Sequence, residues 1–166
     1  MTTEEVTINV AFDVAIAAEE TTRKLFHGLA AKFVGFADLV AFWQQYEGEE
    51  VQHAEWLREL KLKLRAEQLA APADPGTVAL LRLVSAFSLE EALAGVRDLE
   101  DAFVLVRETE NGELNAVFNF IMDTFETDAA IRDEIHDALT EHIARLALDT
   151  PPAYRDRNRR RAIKAA

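Results

Sequence analysis

From Leu39 onward, large apolar side chains recur at alternating steps of four and three, at Leu39, Trp43, Tyr46, Leu57, Leu60 and Leu64, and the two places where that pattern continues through its middle hold Glu50 and His53. Positions at these steps share one face of an α-helix. The spacing therefore predicts a long helix whose core stripe carries a carboxylate and an imidazole one turn apart. An ionised carboxylate inside an apolar core is costly unless something compensates its charge. In a helical bundle a metal ion is the usual compensation when histidine stands beside the acid; otherwise the buried acids must pair or stay protonated.

A chain of 166 residues fits one domain with a substantial core. Its hydrophobic content of 49% with only 6 glycines and 4 prolines favours long helices over a sheet, so the expected class is all-α. The first helix opens between Thr3 and Asn9 and runs to about Phe33, with Phe12, Ile16, Glu19, Phe26 and Phe33 on one face; Gly35 marks a tight corner. The second runs from about Phe36 to Leu69 and stops before the linker Ala-Pro-Ala-Asp-Pro-Gly, residues 71–76. Residues 77–87 are apolar and read as a short crossover helix. Ser88-Leu-Glu-Glu91 has the form of a capping box and starts a third helix expected to reach 125, with the stripe Leu93, Val96, Phe103, Val106, Glu110, Glu113, Val117, Phe120. Asn111-Gly112 interrupts the propensity of that helix. Continuity is the preferred reading, because it makes the third helix about as long as the second; a turn is the alternative. Asp128 is the candidate N-cap of a fourth helix with the stripe Ile131, Ile135, Leu139, His142, Leu146, stopped by Asp149-Thr-Pro-Pro.

Register supports a shared site. If the first two helices form an antiparallel hairpin about residues 34–35, Glu19 lies 14 positions before Phe33 and Glu50 lies 14 after Phe36. If the last two turn near 126–127, Glu110 lies 15 before Phe125 and His142 lies 14 after Asp128. Each hairpin then delivers a carboxylate and a histidine to its midpoint, which is how a four-helix bundle assembles a metal site between facing helices.

At these positions the chain resembles the rubrerythrin family of ferritin-like di-iron proteins. The likeness rests on Ala15-Ile-x-x-Glu19 followed by Phe26-x-x-Leu-Ala30, on Glu49-Glu50-Val-Gln-His53-Ala-Glu-Trp-Leu57, on Glu110-x-x-Glu113 with Phe118 beyond it, and on His142-x-x-x-Leu146, and it covers most of residues 10–148. The resemblance implies a ferritin-like antiparallel four-helix bundle over residues 1–150, with a short crossover helix between the second and third helices. It implies Glu19, Glu50, His53, Glu110, Glu113 and His142 as ligands of one or two iron ions, with manganese or zinc as alternatives. One departure stands out: where the family carries a second Glu-x-x-His, this chain has Leu139-x-x-His142, so a carboxylate expected to bridge the metals is an aliphatic side chain. Asp133-x-x-His136 has the right residue types, but His136 lies off the stripe and should face outward. Glu20 is the fallback for Glu19, and Glu100, also on the third stripe, the alternative to Glu110 and Glu113. His27 reads as a surface or supporting residue, and Trp43 and Tyr46 as packing rather than electron relays.

Three functional readings follow. The first is an oxidoreductase that reduces peroxide or dioxygen, or oxidises iron, at a carboxylate-histidine centre. The second is a metal-binding or scaffold bundle that has lost turnover. The third is a metal-free helical interaction module. The absence of cysteine excludes disulfides, thiolate ligands, a thiol nucleophile and a rubredoxin-type module on this chain, so a redox role requires an external electron donor. The formal net charge of −12 disfavours nucleic acid as a partner of the body. Residues 151–166 hold six basic side chains and one acid and are expected as a flexible, solvated tail. No secretion signal or membrane span is expected from the sequence, and a cytoplasmic homodimer is.

Overall fold

The computed structural model describes residues 6–166, apart from the side chains of Glu113 and Leu114. Among these residues the chain is all-helical, without a β-strand. Helix α1, Ile8–Lys32, starts at Thr7, whose hydroxyl accepts from the Val10 N–H at 3.4 Å, and ends with Lys32 favourably placed at the negative end of the helix dipole. The chain turns through residues 33–36 into α2, Ala37–Lys63, and the two long helices lie against each other over most of their length. Expectation and structure agree on this hairpin and its corner.

The second helix is shorter than expected. It leaves helical conformation at Leu64 and Arg65, and a separate short α3 spans Ala66–Ala70. The break has a physical cause: it lets the linker run beside the start of α1, where the Ile8 N–H donates to the Ala71 carbonyl (2.9 Å) and the Ala73 N–H to the Val6 carbonyl (2.8 Å). Asp74 then caps α4, Pro75–Ser85, accepting from the Gly76 and Thr77 N–H groups at 2.9 and 3.1 Å, with Pro75 at a position where a missing N–H costs nothing. This is the expected crossover helix, and it covers α1 with Leu81 and Val84.

The expected continuous third helix is three helices: α5 (Leu89–Ala94), α6 (Leu99–Glu110) and α7 (Glu113–Phe125). The Ser88 hydroxyl does cap the Glu91 N–H (3.3 Å), but α5 ends at Gly95, and Asp98 provides a second cap by accepting from the Asp101 N–H at 3.0 Å. At Asn111-Gly112 the helix is interrupted again; the Asn111 amide donates to the Arg107 carbonyl at 2.8 Å, and a Cβ at Gly112 would lie 2.7 Å from the Glu108 carbonyl oxygen. This is a kink, not a reversal. Leu99, Ala102 and Val106 pack with the C-terminal half of α1 and the N-terminal half of α2, while Val117, Phe118 and Ile121 pack with the opposite halves. The α5–α6–α7 series thus runs antiparallel to α1. Asp128 caps α8, Ala129–Leu148, as expected, and Ile135 and Leu139 return to the cluster of α7.

Residues 151–166, expected as a solvated tail, are docked. They form a 3₁₀ turn, Pro152–Tyr154, and α9, Arg157–Ala162, and they are tied down by the Leu99 N–H to the Ile163 carbonyl (2.9 Å) and the Tyr154 hydroxyl to Asp38 (3.0 Å). Glu100, the alternative to Glu110 as a ligand, is buried beneath this segment, paired with Arg157 at 2.9 Å and Arg160 at 2.5 Å. Its burial answers the charge of the segment. Among the described residues no helix is long and apolar enough to cross a membrane.

The two packed layers meet closely at Gly28 of α1, where a Cβ would lie 2.6 Å from Leu93 Cδ1 of α5. Gly28→Val should destabilise the fold by about 1–3 kcal/mol through overpacking, and the cost should shrink when Leu93 is also changed to alanine. Urea denaturation of the two single variants and the double variant measures this. An equal cost in both backgrounds contradicts the close approach.

Candidate metal centre

Midway along the bundle, between its two apolar clusters, five side chains from four helices converge: Glu19 of α1, Glu50 and His53 of α2, Glu110 of α6 and His142 of α8. Each is at most 6% exposed, so their charges must be answered locally. The α-helical steps of three and four that place Glu50 and His53 on the core face, and the hairpin register that sets Glu19 opposite them, operate as the sequence predicts.

Glu50 occupies the middle. Its Oε2 lies 3.2 Å from His53 Nδ1, and its Oε1 lies 3.3 Å from His142 Nε2. Glu19 Oε2 approaches His53 Nδ1 from the other side at 3.5 Å, and Glu110 Oε2 approaches His142 Nε2 at 3.6 Å. The two imidazole rings stand 5.1 Å apart, edge to face. The result is two groups, Glu19–Glu50–His53 and Glu50–Glu110–His142, in each of which one donor atom per residue falls within 4.8 Å of the others. Glu50 belongs to both.

Three buried atoms in the second group, Glu50 Oε1, Glu110 Oε1 and His142 Nε2, have no hydrogen-bond partner. His142 Nε2 is near enough to Glu50 and Glu110 for electrostatic attraction, but the contacts are misaligned for hydrogen bonds. Leaving such atoms unmatched costs about 1–3 kcal/mol each, and a cation held by this group would offset that cost. A cavity of about 10 Å³ lies among Glu19, Glu50, His53 and Glu110, with Thr22, Thr109 and Asn115 beside them. That is room for an ion or a single water molecule. The donor set of carboxylates and neutral imidazoles is that of iron, manganese or zinc, so the residues present fit a metal.

The outer nitrogen of His142 is held as well. Its Nδ1 contacts Glu49 Oε2 at 2.7 Å, and Arg145 holds the same oxygen at 2.6 Å. This pair sets the ring with Nε2 facing the other ligands, the supporting arrangement common around metal-binding histidines. Sequence reasoning passed over Glu49 and Arg145. A signal was present: Arg145 lies one turn beyond His142 on α8, and Glu49 immediately precedes Glu50 on α2. Aromatic rings wall the rest, with Trp56 stacked on His53 (5.5 Å between centroids) and Tyr46 edge-on to His142 (5.1 Å).

Of the six ligands expected from sequence, the structure brings five together; Glu113 begins α7, and its side chain lies outside the described residues. Glu20 is turned to the surface, where Arg23 and Arg58 hold it at 3.0 and 2.9 Å. His27 is exposed beside Glu47, and His136 pairs with Asp123 on the outside at 2.8 Å. Leu139 is buried in the apolar cluster one turn before His142. Trp43 and Tyr46 are packed among Phe26, Phe42 and Phe103.

Without a cation, protons balance the centre. Burial opposes the imidazolium at both histidines, yet Glu19 and Glu50 raise His53 to about 9, and Glu110 and Glu50 raise His142 to about 11. Burial, reinforced by the neighbouring charge of Glu50, raises Glu19 to about 8, and burial also raises Glu110. At Glu50 burial acts in the same direction, but contacts with His142 and His53 outweigh it and hold the group at about 2. Compared with protein-family models, with curated proteins and with solved structures, the chain gives no match.

Two predictions follow from this balance. A raised histidine contributes stability below its unfolded value, near 6.5, and loses it as pH passes through the folded value, so the metal-free protein should weaken between pH 6.5 and 9 as His53 deprotonates. A metal must displace the same protons. The increase in Tm produced by Mn²⁺ or Zn²⁺ should therefore grow from pH 6 to pH 8.5; a pH-independent increase contradicts displacement. Glu49→Gln should lower metal affinity about 10–100-fold in a chelator competition, because it replaces the charged acceptor on the outer nitrogen of His142 with a neutral amide. Unchanged affinity contradicts a supporting role for Glu49.

Proposed function

We propose that this chain is a ferritin-like protein of the rubrerythrin type that holds two divalent ions, iron in the functional form, in the two groups that share Glu50. The observation that carries the reading is that one buried carboxylate presents its two oxygens to two different imidazoles, each group being completed by a further buried carboxylate. The helix directions support it: an antiparallel hairpin, a covering crossover helix, and a second pair reached by that long connection are the connectivity of ferritin-like bundles. In this reading Leu139 stands where the family supplies a further carboxylate, and Glu50, common to both groups, would help to hold both ions.

Iron bound there would supply electrons for reduction of peroxide or dioxygen, or be oxidised itself. The protein's own groups do the rest. Glu19, Glu50 and Glu110 offset the positive charge, and the two imidazoles complete the donor set as neutral rings. Glu49 and Arg145 orient His142, the aromatic wall excludes bulk water, and Thr22, Thr109 and Asn115, whose side chains donate to the Ala18, Leu105 and Glu110 carbonyls, complete the lining of the small cavity. A chain without cysteine takes its electrons from a separate reductase. The resemblance also implies a homodimer.

A second reading, a metal-binding scaffold without turnover, is favoured by Leu139 at the place of the missing carboxylate. Anaerobic loading with Fe(II), elemental analysis and measured peroxide consumption separate the two. The oxidoreductase reading predicts two ions per chain and multiple turnovers with an external reductant. Bound metal without turnover supports the scaffold, and no bound metal supports a metal-free interaction module. Glu50→Gln should remove both ions, whereas Glu19→Gln or Glu110→Gln should leave one. Equal loss of stoichiometry in all three variants contradicts a bridge at Glu50.

A further inference from the structure

Helices α6 and α8 and the docked C-terminal segment enclose a half-open cavity of about 420 Å³, within the range of small-ligand pockets. Its floor is apolar, formed by Phe103, Val106, Ile143 and Leu146, and its rim carries three arginines, Arg107, Arg155 and Arg160. No acidic side chain lines it among the described residues. In a chain with 30 acidic residues and a net charge of −12, a basic rim free of carboxylates is unlike the surface around it.

The three arginines are not equivalent. Arg160 is committed to Glu100 at 2.5 Å and lies over the Phe103 ring at 5.2 Å. Arg155 donates to the carbonyls of Thr150 and Leu148 at 3.1 and 3.0 Å but meets no carboxylate among the described residues. Arg107 is exposed and has no ion pair among them. Two guanidinium charges without a counter-charge thus border an apolar floor, a combination that calls for a ligand with an anionic head and an apolar body.

We propose that this cavity binds a small amphipathic carboxylate, whose head is held by Arg107 and Arg155 and whose chain or ring lies on Phe103, Val106 and Leu146. The planar guanidinium fork suits a carboxylate. Val106 stands four residues before Glu110 and Leu146 four residues after His142, so the floor lies one helical turn from the candidate metal centre on both helices. None of its lining residues belongs to the two ligand groups, and ligand binding requires no metal.

Titration of the full metal-free chain with decanoate, decanol and inorganic phosphate by isothermal calorimetry tests the proposal, with decanoate kept below its micellar range. Decanoate should bind saturably at one per chain, with decanol and phosphate each at least about tenfold weaker. Arg107→Gln removes the free guanidinium, and Ala147→Trp fills the rim from an exposed position; each should weaken decanoate about tenfold or more. Absence of saturable binding overturns the proposal. So does equal binding of decanol and decanoate, or wild-type affinity in either variant. Circular dichroism of both variants confirms that the comparison is between folded proteins.

Discussion

A single carboxylate, that of Glu50, sets the terms for the rest of this molecule. At 2% exposure it cannot be left ionised without answering charge, and its pairing with His53 and His142 keeps it ionised far below the usual carboxylate range. The two histidines come from different helices, and each is matched by another buried acid. Protons can satisfy this arrangement, through charged imidazoles and a neutral Glu19, and so can cations. The difference lies in the atoms left over: Glu50 Oε1, Glu110 Oε1 and His142 Nε2 gain no hydrogen bond from the protein. Buried atoms left unmatched in this way carry a cost that a bound ligand would remove.

The architecture serves that requirement by register. The α1–α2 hairpin lifts Glu19 to the height of Glu50, and α6 and α8 bring Glu110 and His142 to the same level. The apolar clusters on either side of the centre are packed separately, one from α4, α7, the starts of α1 and α8 and the end of α2, the other from the end of α1, the start of α2, α6 and Tyr154. The polar layer is thus enclosed above and below by close packing, which holds the five side chains in place and limits the access of water. Glu49 and Arg145 extend the layer outward and join it to the surface.

Much of this was legible in the sequence, because helical periodicity exposes a polar residue in an apolar stripe. Glu50, His53 and His142 announce themselves in that way, and the Pro-containing linker and the Asp128 cap mark boundaries by local chemistry. Interruptions within the long third helix were harder. Asp98 is a cap signal followed by acidic residues, but an apolar stripe that resumes in phase across Gly95–Asp98 conceals the break. At Asn111-Gly112 the turn signal was correct as to interruption, yet local chemistry does not specify direction; tertiary packing makes it a kink, and so Glu110 still reaches His142. The docking of residues 151–166 depends on Glu100 and Asp38, acids distant in sequence, and a basic composition alone reads as a solvated end. The Arg145–Glu49 support spans 96 residues, so the arginine one turn beyond His142 hints at a supporting role without naming its partner.

In the proposed function Glu50 helps to hold two cations. Anomalous diffraction from crystals grown with Mn²⁺, recorded on both sides of the manganese absorption edge, tests it most directly. Two difference peaks are expected in the bundle interior beside the Glu50 carboxylate, one toward His53 and one toward His142. Peaks confined to surface acids, or an interior without any, would contradict it.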